Sequence, residues 1–397
     1  MSQRPAPPHS VGRKPESRSL PPAQDLSYLD TARPRATFRC AWRHYFASLV
    51  IYGVLWAVLR LNPWFHNLLT VSIGSFPAWR CYDYYLLAYA VIGPVIFFGF
   101  RPRSLWNSKN VLILGWLGRV VRHVFGQSPP RAIRPWVPTF KEKHAFVFLL
   151  IKLVYGPLML NSAFIEFNLY PALLQQWAQS PSLISMSDSG YGLFVTSVFF
   201  LDSVLFCFGY HTESFALKNQ VRYVETSLLG LLVCVACYPP FNNVTTAFFG
   251  PSNDEASILF RGELHHPLTW VLRGLAVLAL LLLTSSSLSL FTKASNLTNR
   301  GIVRHGPYAI IRHPGYVGKN LFWLATLIPL FFAVDTHDAG FSWTQHLLFC
   351  GAVLGGFIAW CSIYTMRALT EEKLLLNDPD YVDYCQKVKY RFIPGLC

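Results

Sequence analysis

Apolar positions in this chain gather into long blocks, with short basic stretches between them. Eight blocks stand out, approximately 45–61, 84–100, 146–164, 191–210, 227–241, 270–291, 316–334 and 346–364. A bilayer core ~30 Å thick requires about 20 apolar residues per helix, and a segment in lipid must satisfy its own backbone polar groups. The pattern therefore predicts an all-α, polytopic membrane protein with about eight transmembrane helices. The block 227–241 is short and ends in Pro239-Pro240, which predicts a broken or re-entrant segment. Residues 111–125, VLILGWLGRVVRHVF, carry Arg119, Arg122 and His123 at helical spacing. They read as an amphipathic helix lying on the membrane surface.

Charge adds sidedness. Of the 397 residues, 52% are hydrophobic and 14% charged, against about 25% charged in soluble domains. Twenty-eight of the 34 Lys and Arg residues fall on segments that share one side with the N-terminus, and two, Arg80 and Arg261, fall on the other. That bias predicts both termini cytoplasmic. It also accounts for the net charge of +14 through anionic lipid headgroups, with no nucleic-acid partner. The expected location is a multi-pass integral membrane protein, of a bacterial inner membrane or, in a eukaryote, of the endoplasmic reticulum.

Residues 1–42 are rich in Pro, Ser and Arg without an apolar core, and read as a disordered basic tail rather than a signal peptide. Residues 43–290 would hold helices one to six, and 291–397 a C-terminal unit with the last two. The nine cysteines are scattered. Cys234 and Cys237 form a lone CxxC inside an apolar block, without a second pair to complete a metal set. Cys397 is not a prenylation box. Asn243-Val244-Thr245 is a glycosylation sequon in a predicted outer loop, and no internal repeat is evident.

The candidate chemistry lies in GPYAIIRHPGYVGKN, residues 306–320, and in the segment after the eighth block. Gly306-Pro307-Tyr308 reads as a turn offering a flat ring. Arg312-His313-Pro314 places two donors where the chain turns into the seventh helix, and Gly315 and Gly318 permit close approach. A helix start also favours an anion. Glu371 and Glu372 follow on the same predicted side. Together these groups suit a zwitterion, with a carboxylate on Arg312, His313 or the helix start and an ammonium or hydroxyls on a Glu. The plainer alternative is snorkelling basic anchors and a solvated acidic pair.

The pattern GPYxxxRHPxYxG, an apolar hairpin, EE and YxxYxxxVxYRxIPG resembles the C-terminal region of the isoprenylcysteine carboxyl methyltransferase family and the related membrane phospholipid methyltransferases. The lead-in Asn296-Leu297-Thr298-Asn299-Arg300-Gly301 is similar to that of bacterial members. The likeness covers roughly residues 291–397. It implies an S-adenosylmethionine site at the cytoplasmic membrane edge. Gly306, Pro307, Tyr308, Arg312, His313, Pro314, Tyr316 and Gly318 would form one half and Glu371 and Glu372 the other. Arg391, in the closing RxIP with Pro394, would be the catalytic residue facing the acceptor, while Tyr381 and Tyr384 pack the cap. The resemblance implies methyl transfer to a membrane lipid or lipidated acceptor, a carboxylate or an amine. It does not specify prenylcysteine, because the first six helices exceed what a minimal member needs.

Two further readings compete. Sterol-type membrane reductases using NADPH share a similar hairpin and a similar ending, but carry an Arg-Asp pair where this chain has Glu371-Glu372. A transporter or non-enzymatic scaffold would suit a helix broken at Pro239-Pro240. Finally, Lys152 and Asp202 lie inside the third and fourth blocks and are expected to pair, since charges within lipid are costly. His211 and Glu213, at the end of the fourth block, are candidate substrate-binding residues or a surface cap.

Overall fold

The computed structural model describes residues 35–102, 105, 108–126, 136–214, 216–238, 241–242, 267–331 and 342–396. Residues 1–34 of the expected tail, the Pro239-Pro240 break, the Asn243 sequon and Cys397 lie outside the described residues. The chain is mostly helical, with two two-stranded ribbons.

Helix α1 (Phe38–Leu61) is capped by the Thr37 side chain, which accepts from the Cys40 amide, and ends where Asn62-Pro63 starts the short α2 (Pro63–Leu68). A hairpin of β1 (Ser72–Ile73) and β2 (Phe76–Pro77) turns at Gly74, whose φ of 58° suits glycine. Helix α3 (Arg80–Pro94) continues as a π-helical segment, Val95–Phe100. Residues 111–125, expected as a surface helix, fall largely in helix α4 (Lys109–Val124), with Ser108 as its cap. Arg119 on α4 donates both terminal nitrogens to Glu142 at 2.8 and 2.7 Å, and Glu142 with Thr139 forms the capping box of α5 (Phe140–Ala178). One carboxylate thus caps α5 and anchors α4 to it.

Helix α5 pairs with α6 (Leu183–His211) as an antiparallel hairpin. The short α7 (Leu228–Val235) packs its Cys234 against Tyr155 of α5. Beyond it come α8 (Pro267–Leu290), α9 (Pro314–Leu327), α10 (Trp343–Leu375) and α11 (Pro379–Lys387). Strands β3 (Tyr223–Val224) and β4 (Thr298–Asn299) pair antiparallel, linking the segment after α6 to the one after α8. The apolar core has two main parts. One joins α5, α6 and α7 through Tyr155, Leu158, Tyr210 and Cys234. The other joins α6, α8 and α9 through Val195, Ala276, Leu280 and Phe322.

Six helical segments are long and apolar enough to cross a membrane: Phe38–Leu61, Arg80–Phe100, Phe140–Ala178, Ser185–His211, Pro267–Lys293 and Trp343–Leu375. Large apolar side chains such as Leu87, Val91, Leu347 and Ile358 are left exposed on them. Surfaces of that kind belong to a membrane protein. The other two apolar blocks do not form long helices among the described residues. Block 227–241 contributes the eight residues of α7, about 12 Å long. Block 316–334 contributes α9 and a 3-10 turn, Ile328–Phe331. Both have protein around part of their apolar surface, a distinction that a count of apolar residues does not make.

Two glycines allow helices and chain to pass at backbone contact. A Cβ at Gly318 would lie 2.8 Å from the Ala279 carbonyl and 2.9 Å from the Leu283 amide, so α9 touches the α8 backbone there. A Cβ at Gly209 would overlap the Ala294 carbonyl, so the chain leaving α8 crosses the end of α6. The C-terminal ends of α6, α8 and α10 therefore gather beside the start of α9.

Candidate functional site

The segment leaving α8 builds a floor from polar side chains. Arg300 is buried; its Nη1 donates to the carbonyls of Thr212 and Asn219 at 3.0 and 2.9 Å, and its Nε donates to Ser295 Oγ. Asn296 donates its amide to the Tyr210 hydroxyl and its Nδ2 to the Tyr238 hydroxyl, each at 2.8 Å, and accepts from Arg367 on α10. Asn299 donates to Asp378, which also accepts from Arg222. Gly301 follows at φ 96°.

Above this floor, Gly306–Ala309 makes one 3-10 turn. Gly306 has φ 62°, and a Cβ there would run into Ser289. The Tyr384 hydroxyl donates to the Tyr308 carbonyl at 2.7 Å, holding α11 against the turn. The chain end lies alongside: the amides of Arg312 and His313 donate to the carbonyls of Tyr390 and Arg391, each at 3.0 Å. Pro314 is buried at the first turn of α9.

The basic turn and the twin acids meet. His313 Nε2 lies 3.1 Å from Glu372 Oε1, and Tyr316 donates its hydroxyl to Glu371 at 2.6 Å. Arg391 grips Glu372 with Nε at 3.0 Å and Nη2 at 2.7 Å, and Arg312 Nη1 lies 3.3 Å from the same carboxylate. The His313 and Tyr316 rings stack at 5.3 Å. A buried carboxylate meeting three basic groups is charge-compensated and held in one geometry.

A cavity of about 140 Å³ opens between these elements, room for roughly ten waters. Five of the predicted residues line it: Tyr308, Arg312, His313, Tyr316 and Glu371, with Gly315 beside them. Gly306, Pro307, Pro314, Gly318, Glu372 and Arg391 stand behind that lining. Gly306 and Gly318 serve close packing, and Arg391 clamps Glu372. Tyr381 and Tyr384 are buried and also face the cavity. Burial, followed by nearby Glu371, pushes the Tyr308 phenol far above its ordinary value, so it stays protonated.

Lys293, Arg300, Lys319 and Arg367 line the cavity too, with Asp202. The expected Lys152–Asp202 pair is not formed. Asp202 instead pairs with Lys319 of α9 at 3.5 Å and accepts from Ser287 of α8 at 2.5 Å. Neighbouring helices in sequence were the wrong guide, because α6 packs on α8 and α9 as well as on α5. Arg300, Arg367 and Lys319 escaped the sequence reading as site residues. Each had left a signal: Arg300 and Lys319 lie within the two quoted motifs, and Arg367 lies one helical turn before Glu371 and so on its face. Among the described residues, Arg300 Nη2, Arg312 Nε and the Tyr381 hydroxyl have no hydrogen-bond partner. All three belong to residues lining this cavity.

His211 and Glu213 sit elsewhere. They line a second cavity, of about 240 Å³, under α4 and between α1, α3, α5 and α6. Glu213 pairs with Lys109 at 2.5 Å and accepts from the Val221 amide. Burial opposes its ionisation, but Lys109, Lys152 and Arg300 outweigh burial and hold its carboxyl down at about 2.

No protein-family model, no curated protein and no solved structure matches this chain.

Proposed function

We propose that the protein is an integral membrane methyltransferase that uses S-adenosylmethionine to modify a lipidic or prenylated acceptor, a carboxylate or an amine, at the cytoplasmic membrane edge. The observation that carries this reading is the 3.1 Å approach of His313 to Glu372 at the rim of a cavity also walled by Tyr308, Tyr316 and Glu371. The topology that goes with it has eight crossings and both termini cytoplasmic. Its support is that α6 and α8 end side by side, with α7 lying between them in the chain. The excess of Lys and Arg on that side makes it the cytoplasmic one.

The residues fit the group. Arg300 Nη2 and Arg312 Nε are donors in want of an acceptor, which suits an amino-acid carboxylate. Glu371 and Asp202 suit an ammonium and hydroxyls. Leu283, Leu290 and Phe206 offer apolar surface to a flat ring beside Tyr308. S-adenosylmethionine supplies an electrophilic methyl group on a sulfonium. The protein's part is then to hold, align and dry the reactants. Glu372 fixes His313 and the Arg391 strap, and those fix the start of α9. Tyr316 orients Glu371, Lys319 balances the charge of Asp202, and Arg367 sits over the Tyr316 ring. A carboxylate acceptor requires no general base, and an amine only has to arrive deprotonated.

The cation-rich lining also favours a second reading, NADPH in a sterol-type reductase, because phosphates bind guanidinium groups well. Thermal unfolding in detergent separates the two. S-adenosylhomocysteine should raise Tm, by the equivalent of about 2.7 kcal/mol at a hundredfold excess over Kd, and NADPH should not. His313→Ala and Glu372→Ala should each remove the shift. Stabilisation by NADPH alone would replace the methyltransferase with the reductase, and labelling of a membrane lipid fraction from radioactive methyl donor would identify the acceptor.

A further inference from the structure

The second cavity holds two lysines, Lys109 and Lys152, against one carboxylate, Glu213, and only Lys109 is in direct contact with it. Lys152 is the thirteenth residue of α5, about 18 Å along the helix, within a segment apolar enough to span a membrane. Its ammonium lies 4.8 Å from the centre of the Phe148 ring and makes no hydrogen bond or ion pair among the described residues. The nearby acid, Glu213, is already engaged by Lys109 and a backbone amide. An ammonium enclosed in an apolar helix bundle without a salt-bridge partner is costly, and residues of this kind face a water-filled or ligand-filled space. Here that space is lined by Tyr52, Tyr85, Tyr89, Asn110 and His44, all able to donate or accept hydrogen bonds.

The polar chamber does not stand alone. An apolar slot of about 60 Å³ runs between α1, α3 and α5, walled by Leu55, Trp56, Leu59, Leu86, Leu153 and Pro157. Chamber and slot share Tyr52, Tyr85, Lys152 and His211. So one end offers an ammonium without a salt-bridge partner among hydroxyls, and the other offers hydrocarbon, with Lys152 at the junction. Arg300 lines the first cavity, and its guanidinium lies 5.8 Å from the Phe148 ring that lines the second. The two sites are therefore separate but share a wall.

From this juxtaposition we propose that the N-terminal helices form a second binding site, for a single-chain anionic amphiphile whose carboxylate or phosphate head is held at Lys152 and whose hydrocarbon tail enters the slot between α1, α3 and α5. The head completes the charge of Lys152, and the tyrosine hydroxyls and Asn110 supply its remaining hydrogen bonds. The tail replaces lipid or water against Leu59, Leu86 and Leu153. This site does not depend on the methyl-transfer reading.

The test uses the full chain in a neutral maltoside detergent, with thermal unfolding as the readout. Palmitate and hexadecyl phosphate are the anionic probes, hexadecanol the neutral one, and acetate and inorganic phosphate supply heads without tails. At least one anionic probe should raise Tm in a saturable way, while hexadecanol and the headgroups alone should not. Which of the two anions acts distinguishes carboxylate from phosphate. Lys152→Met should weaken the apparent affinity roughly ten- to a hundredfold, the worth of a hydrogen bond to a charged group. Its response to S-adenosylhomocysteine should stay as in the parent chain. Equal stabilisation by hexadecanol, or an anionic response unchanged in Lys152→Met, overturns the proposal. Should that variant not fold, Leu86→Trp fills the slot without touching the charge. Loss of the palmitate or hexadecyl phosphate response there supports the proposal, and full retention refutes it.

Discussion

Replacing Glu372 with Gln tests the convergence on which the candidate site depends. The carboxylate is 6% exposed and receives His313, Arg312 and Arg391 within 3.3 Å. Gln keeps the shape, loses the charge and brings an NH2 group to face donors. Removing one member of a buried ion pair typically costs about 3–5 kcal/mol. Because Arg391 is partly exposed, the low end, about 3 kcal/mol, is the expected loss. Unfolding entropy of about 2.1 cal/mol/K per residue over 397 residues converts that to a fall in Tm of about 4 °C. The assay is thermal unfolding of the detergent-solubilised protein, with Arg391→Gln and the double variant completing a cycle. The double variant should lose less than the sum of the single losses, by about 1–2 kcal/mol, since the pair is then absent as a unit. Strict additivity, or a fall below about 1 °C for Glu372→Gln, would refute the inference that this carboxylate ties α9, α10 and the chain end together.

Gly318→Val should destabilise by about 1–3 kcal/mol or more, because even a Cβ meets α8 backbone at 2.8 Å; an unchanged Tm would show that the helices can separate freely there. Asp202→Asn and Lys319→Met should each be markedly destabilising, while the double neutral variant recovers most of the loss, as read by Tm; equal damage in the double would contradict the pairing. Glu213, held down at about 2 against an ordinary carboxylate value near 4.3, contributes stability that is present above the ordinary value and lost as pH falls toward 2. The parent chain should therefore lose more Tm between pH 6 and pH 3 than Glu213→Gln does, and parallel pH profiles would count against the Lys109–Glu213 pair as its source.

The membrane class was legible because it follows from composition along the chain. A block of about 20 apolar residues is long enough to span a bilayer, and the helix at 109–124 announced itself by Arg119, Arg122 and His123 on an apolar background. The chemistry of the first site was legible in part, since Arg312, His313, Tyr316 and Glu371 are sparse polar residues at helix ends. Their meeting was only an expectation, because 55 residues separate Tyr316 from Glu371 and no local rule pairs them. Asp202 was rightly singled out and wrongly partnered: helix adjacency in sequence favoured Lys152, whereas packing brought Lys319 to it and left Lys152 facing a chamber of its own.

By itself the sequence determined which segments prefer lipid, which termini are basic and which residue types are available for chemistry, all properties carried by residues one at a time or by near neighbours. Only the tertiary structure decided that α7 and α9 are not long helices, that Glu372 is consumed as a brace while Glu371 faces the cavity, and that Arg300 and Arg367 join the wall. The reason is that burial and charge pairing depend on which helix faces meet in space, and two charges repay their desolvation only where the packing sets them within a few ångströms of each other.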